Sequence, residues 1–252
     1  MPPADIEILT DPAAVAHAAA DHFLSAVRAA AAQSRRYAVA LSGGSTPKAL
    51  YGLLAADSYR TRIPWDVVHV FWADERCVPP DSPDSNFRLA HDALLAHVPI
   101  PAGNIHRVRT EAGDCATAAA EYARELATWF NLASGVLPAF DLIWLGLGED
   151  GHTASLFPGA PALEERAAPA VATPPGRLPP SVDRVTLTLP VLNAAHEVVF
   201  LVTGAAKAPV VRRVLAAPGA PGEPLLPAAR VRPAGRLRWI LDQAAARELE
   251  SA

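Results

Sequence analysis

The chain has 252 residues, 51% of them hydrophobic and 19% charged, a size and balance that suit one α/β domain spanning residues 1–252. Its 22 basic and 26 acidic residues leave a net charge of −4, so there is no global basic field for nucleic acid or an anionic membrane, and an anion site must be built locally. Cys77 and Cys115 are too few for a disulfide framework, no uncharged apolar run reaches the ~18 residues of a membrane span, and the start MPPADIEIL lacks a secretory basic region. A cytoplasmic location is the expectation.

In chain order, β-branched and aromatic runs alternate with alanine-rich stretches. Strands are expected at 6–9, 37–41, 67–72, 140–145, 185–189 and 198–202, with a short last one at 238–241. Helices are expected at 11–32, 47–55, 85–96, 114–131 and 205–215. Alanine accounts for 53 residues and arginine outnumbers lysine 20 to 2, a skew that makes alanine a weak helix signal here. The alternation predicts a mostly parallel sheet with helices on both faces. Ligands of such sheets sit at the carboxyl ends of the strands. Two proline-rich stretches, 167–182 and 216–227, read as loops without regular structure.

Chemistry is therefore sought just after each strand. Behind the strand at 37–41 come Ser42, Gly43, Gly44, Ser45 and Thr46, followed by Pro47 and Lys48. Thr46 suits an N-cap and Pro47 a first helical position, so free N–H groups and the helix dipole would face the turn and favour a phosphate. Neither GxxxxGK[ST] nor GxGxxG is present. After 67–72 come Asp74, Glu75 and Arg76, then Asp84, Ser85 and Asn86. Arg76 could clamp an anion, Asp74 could accept from sugar hydroxyls, and Asp84 or Ser85 could cap the next helix. Cys77 reads as a small buried residue rather than a nucleophile.

The segment GLGEDGHTASLFP at 146–158 is the most informative. His152 is the best general base in the chain, and Asp150 could orient its ring. Ser155 lacks a GxSxG elbow and is a poor nucleophile. The other seven histidines are expected on the surface. Arg184 and Lys207 each lie beside a strand end, where a phosphate ligand belongs.

Five blocks carry a resemblance to a known family: LSGGSTPKALY (41–51), FWADERCVPPDSPDSNFRLA (71–90), DLIWLGLGEDGHTASLFPG (141–159), RVTLTLPVLNAAHEVVFLVTGAAKA (184–208) and LPAARVRPAGRLRWILDQAA (226–245). They span nearly the whole chain, and it resembles the 6-phosphogluconolactonase family. The resemblance implies a Rossmann-like α/β fold, shared with glucosamine-6-phosphate deaminases and ribose-5-phosphate isomerases. It implies an enzyme with no metal and no organic cofactor. The implied partner is a small phosphosugar lactone, with no nucleic acid, membrane or obligate protein partner. Residue by residue, His152 matches the catalytic histidine, Asp150 and Glu149 the acidic pair, and Arg76 an active-site arginine. The Ser42–Thr46 turn, Arg184 and Lys207 match phosphate-binding positions. Asp74, Asn86 and Gly151 complete the expected binding set.

On this resemblance, neutral His152 would deprotonate a water attacking the lactone carbonyl, and Arg76 or a backbone N–H of the 148–151 turn would receive the oxyanion. Two alternatives remain open. A deaminase or isomerase of the same superfamily would share Asp74 and the DGH core, but Phe157 stands where those enzymes carry a glutamate. A non-catalytic sugar-phosphate sensor would need a helix-turn-helix ahead of a first strand that here starts at about residue 6.

Overall fold

The structure is a computed structural model and describes residues 5–176, 180–215 and 225–249. Nine strands and eight α-helices occur among the described residues. In order they are β1 (Asp5–Leu9), α1 (Pro12–Ala32), β2 (Tyr37–Leu41), α2 (Ser45–Ala55), α3 (Asp57–Arg60), β3 (Val68–Trp72), β4 (Asp74–Arg76), α4 (Asn86–Ala93) and α5 (Cys115–Trp129). There follow β5 (Leu142–Leu145), β6 (Ala170–Thr173), β7 (Arg184–Leu187), α6 (Leu189–Ala194), β8 (Glu197–Val202), α7 (Ala208–Leu215), β9 (Arg236–Asp242) and α8 (Gln243–Ala246).

The main sheet is wholly parallel, with order β1-β9-β8-β5-β2-β3. Its inner strands are continuous apolar runs: every residue of β2, β3, β5 and β8 is buried, as a sheet covered on both faces requires. Trp72, Trp144 and Trp239 are fully buried, and Trp239 stacks on Phe200 at 3.9 Å. α1 shows how one covering helix is specified. Asp11 accepts from the Ala14 N–H at 2.9 Å and Pro12 opens the first turn. Val15, Ala19, Phe23 and Val27 then recur every four residues on its buried stripe.

Strand order reverses at β2, which has β3 on one side and β5 on the other. A crevice opens at such a switch point, outside the carboxyl ends of the strands.

Four features differ from the sequence expectations. First, a small antiparallel sheet, β4-β7-β6, stands beside the parallel one. Its strand β6 lies inside the proline-rich stretch 167–182, because Ala170–Thr173 holds no proline and can complete a ladder with β7. The stretch 216–227 lies largely outside the described residues, and Pro227 opens a 3₁₀ turn. Second, α2 begins at Ser45 with Gly44 as its N-cap, so Thr46 and Pro47 are the second and third helical residues. Third, Cys77 and Cys115 form a disulfide, with Cα atoms 5.7 Å apart, joining the end of β4 to the start of α5. Two isolated cysteines give no sequence signal for this, since only the fold brings them together. Fourth, His69 is buried on β3, where it meets His106 at 3.1 Å and accepts from Trp129 Nε1 at 3.2 Å. Burial lowers its pKa to about 4, with the charges of His106 and Arg36 acting in the same direction.

Candidate active site

A cavity of 260 Å³ lies in the crevice. It is walled by the turn after β2, the β3–β4 junction, the turn after β5, the start of β7 and the end of β8. Of the expected site residues, Ser42, Gly43, Gly44, Ser45 and Thr46 line one side. Asp74, Arg76, Asn86, His152, Arg184 and Lys207 line the rest.

The turn after β5 is a local construction. His152 Nδ1 meets Asp150 Oδ1 at 2.5 Å, and the His152 N–H donates to the same oxygen at 3.1 Å. A carboxylate accepting from Nδ1 leaves Nε2 as the nitrogen with a free lone pair. Burial tends to raise the Asp150 carboxyl, but the hydrogen bond and charge of His152 outweigh it and hold it below its usual value. The imidazole sits directly on Gly148, where a Cβ would come within 2.1 Å of Nδ1, so no other residue fits without moving the ring. Gly148 N–H donates to the His152 carbonyl at 2.9 Å and closes the turn. Phe157 covers the ring from the other direction, with centroids 4.8 Å apart.

The opposite walls are assembled from distant segments. Ser155 Oγ donates to Asp74 Oδ2 at 2.6 Å, and Asn86 Nδ2 donates to the Asp74 carbonyl at 2.9 Å. Arg76 Nη1 donates to the Asp84 carbonyl at 2.7 Å, and its buried Nε has no partner among the described residues. Arg184 is buried and donates to the Val182 and Pro180 carbonyls, at 3.2 and 2.9 Å. Burial pushes its pKa down, against the raising charges of Asp74 and Glu75. Ser42 Oγ donates to the Trp144 carbonyl at 2.7 Å, tying the β2 turn to β5.

Three expected site residues do not line the cavity: Glu149, Gly151 and Asp150, which stands behind the His152 ring and reaches the cavity only through it. Glu149 is exposed, because the tight turn points it outward. Gly151 lies behind the turn, against Leu226. Lys48 also faces away from it, on the far side of the first turn of α2. Conversely, Thr203 lines the cavity and its hydroxyl meets that of Thr46 at 2.8 Å. It sits one residue beyond β8, where the strand-end rule could have found it. Ser155, a poor nucleophile by its sequence setting, is fully buried and serves as the donor to Asp74. Among the described residues no group of three His, Cys, Asp or Glu side chains is placed to hold a metal ion, and no helix is long and apolar enough to cross a membrane.

Known proteins share the sequence pattern and the fold. Residues 10–239 match the model of the glucosamine-6-phosphate isomerases/6-phosphogluconolactonase family. The chain belongs to that family. It is 44% identical over 245 residues to a 6-phosphogluconolactonase of Nostoc sp., covering 97% of this chain and 98% of that one. It is 43% identical over 224 residues to a rat 6-phosphogluconolactonase, covering 85% and 81%. Among solved structures, the 6-phosphogluconolactonase of Trypanosoma brucei superposes with a TM-score of 0.86 at 32% identity, covering 98% of each chain. A monomeric glucosamine-6-phosphate deaminase superposes with a TM-score of 0.79 at 17% identity, covering 97% of this chain and 99% of that one, a likeness of fold alone. Within the family this chain is an enzyme of the 6-phosphogluconolactonase class, a hydrolase.

Proposed function

We propose that this enzyme hydrolyses 6-phospho-D-glucono-1,5-lactone to 6-phosphogluconate in this cavity, the second step of the oxidative pentose phosphate pathway. The observation that carries the mechanism is His152 on the cavity wall, held from behind by Asp150 at 2.5 Å. Asp150 fixes the tautomer, so Nε2 of neutral His152 takes a proton from a water attacking the lactone carbonyl. The imidazolium that forms is stabilised by the same carboxylate, and it returns its proton to the departing ring oxygen. General base catalysis of this kind contributes ~10²–10⁴-fold. The oxyanion is received by Arg76 on the cavity wall, or by a backbone N–H of the 148–151 turn other than those of Gly148 and Gly151, which donate within it.

The 6-phosphate is placed at the opposite end, against the N-terminus of α2 with Arg184 and Lys207. The first-turn N–H groups of a helix have no partner within it, and the dipole favours an anion there. The side chain of Lys207 makes no hydrogen bond or ion pair among the described residues and is available as a cation. Charge-assisted bonds to phosphate then hold the ring for attack. Phe157 beside His152 supports hydrolysis over the deaminase alternative, since it puts a hydrocarbon face where that chemistry uses a carboxylate.

The test follows 6-phosphogluconolactone made in situ from glucose 6-phosphate by excess dehydrogenase. Wild type, His152→Ala and a blank are timed, because the lactone hydrolyses spontaneously. Wild type is expected to clear the lactone far above the blank, and His152→Ala to fall to it. A wild type that matches the blank overturns the reading, and glucosamine 6-phosphate is then the next substrate.

A further inference from the structure

Strand alternation divides the Asp74-Glu75-Arg76 run between two jobs. Asp74 and Arg76 line the cavity, while Glu75 points the other way and is absent from it. Glu75 is nevertheless almost fully buried, at 2% exposure, and its carboxylate is saturated. Oε1 accepts from the backbone N–H groups of Arg76 and Asn86, each at 2.7 Å. Oε2 accepts from the Phe87 N–H at 2.7 Å and from Ser85 Oγ at 3.2 Å.

Two of those donors are first-turn N–H groups of α4, which its N-cap Ser85 leaves unpaired because Ser85 Oγ accepts only from Arg88 N–H at 3.1 Å. A buried acidic side chain at that place satisfies them and suits the helix dipole. The consequence reaches the cavity. Asn86, locked at the head of α4, lays its side chain over Asp74 and against Gly43, where a Cβ would lie 1.9 Å from Asn86 Oδ1. Arg76, locked by its own N–H, extends to the Asp84 carbonyl on the same loop.

We infer that Glu75 is a positioning residue of this site: its buried carboxylate clamps β4 to the head of α4 and thereby sets Arg76 and Asn86 against the cavity. The inference rests on the cavity being the lactone site. Asp74 and Arg76 on its own strand, Arg107, Tyr122 on α5 and Arg184 on β7 are the charged and titratable groups around it. Burial raises the Glu75 pKa to about 7, with Asp74 adding to the rise and the three backbone N–H groups opposing it. The four-donor clamp exists only in the ionised form, because a protonated carboxyl must itself donate and so strands one donor. The clamp therefore loosens as pH falls below about 7.

The test compares wild type, Glu75→Gln and Glu75→Asp for kcat and KM between pH 6 and 8, with unfolding curves for each. The amide of Glu75→Gln presents N–H to donors, so KM is expected to rise about tenfold, the cost of one misplaced charge-assisted bond. Its kcat should fall as well, since Arg76 is a receiver of the oxyanion, and its KM should no longer vary with pH as the wild-type KM does. Glu75→Asp, which keeps a carboxylate, should recover part of the loss. Should Glu75→Gln not fold, wild type alone decides: the amide proton shifts of Arg76, Asn86 and Phe87 should titrate together with one midpoint near 7. A Glu75→Gln enzyme with wild-type KM at every pH, or amides that titrate independently, overturns the inference. Neither result bears on whether wild type hydrolyses the lactone, which the preceding assay decides separately.

Discussion

The two sides of the cavity are built in opposite ways. The side that would do the chemistry is local: Gly148, Asp150, His152 and Phe157 lie within ten residues, and their contacts close within one turn. The side that would hold the substrate is assembled across the chain. Asp74 meets Ser155 from 81 residues away, and Thr46 meets Thr203 from 157 away. Of the cations on this side, Lys207 follows Thr203 on the same segment and Arg184 comes from a further one, β7. A local turn survives small shifts of the fold, because it moves as one piece. An assembled wall depends on every element that contributes to it. Damage to the turn should therefore fall on kcat, and damage to the assembled wall on KM or stability.

The largest effect should come from His152→Ala, a loss of about 10²–10⁴-fold in kcat with the unfolding midpoint unchanged. Gly148→Ala should come next. Its new Cβ occupies the place of the imidazole, and a displacement of about 1 Å costs about 10²-fold in kcat. A Gly148→Ala enzyme with normal kcat would break the distinction, since the ring would then not need its seat.

Lys207→Ala tests the other wall. Loss of one charge-assisted bond to phosphate should raise KM about 10- to 100-fold and leave kcat nearly intact. Steady-state kinetics on the in situ lactone separates the two. If kcat falls instead, Lys207 acts on the reacting carbonyl rather than the phosphate.

A Cys77→Ser/Cys115→Ser double variant should act through stability. The bridge spans 38 residues, and a loop of that length contributes on the order of 4 kcal/mol in the chain-entropy account. Denaturant unfolding measures it. Because Cys77 follows Arg76 directly, kcat should fall slightly as well.

The smallest effect is a slope of stability with pH. Burial raises the folded-state pKa of Glu75 from 4.5 to about 7, so the folded state binds more protons than the unfolded one between those values. Its contribution to stability is fully present below 4.5 and is lost as pH rises through about 7. Glu75→Gln should flatten this slope in urea titrations at pH 5 and pH 8. The clamp would then be formed at the expense of stability, in the pH range where the pocket is tightest.

Much of the fold and half of the site are legible in the amino-acid sequence. The apolar runs at 37–41 and 198–202 form β2 and β8 within one residue of the expected bounds, because a strand buried on both faces has to be apolar throughout. Asp150 and His152 are legible because their pairing is a property of a two-residue spacing in a glycine turn. β6 is hidden by flanking prolines, since its four residues acquire a ladder only when β7 is alongside. Glu149 looks like a site residue from its neighbours in sequence, and the sharp turn sends it to solvent. His69 has the composition of a surface residue, yet its strand is buried on both faces.

The sequence by itself determined the alternation of strands and helices, the family, and the pairing of His152 with Asp150, all of which depend on short-range spacing. Only the tertiary structure decided the small antiparallel sheet, the Cys77–Cys115 bridge, the Ser155–Asp74 bond and the seat of Glu75 beneath α4. Each of these joins residues whose separation along the chain carries no information about their distance in space. They meet because burial of the parallel sheet fixes where its strands end.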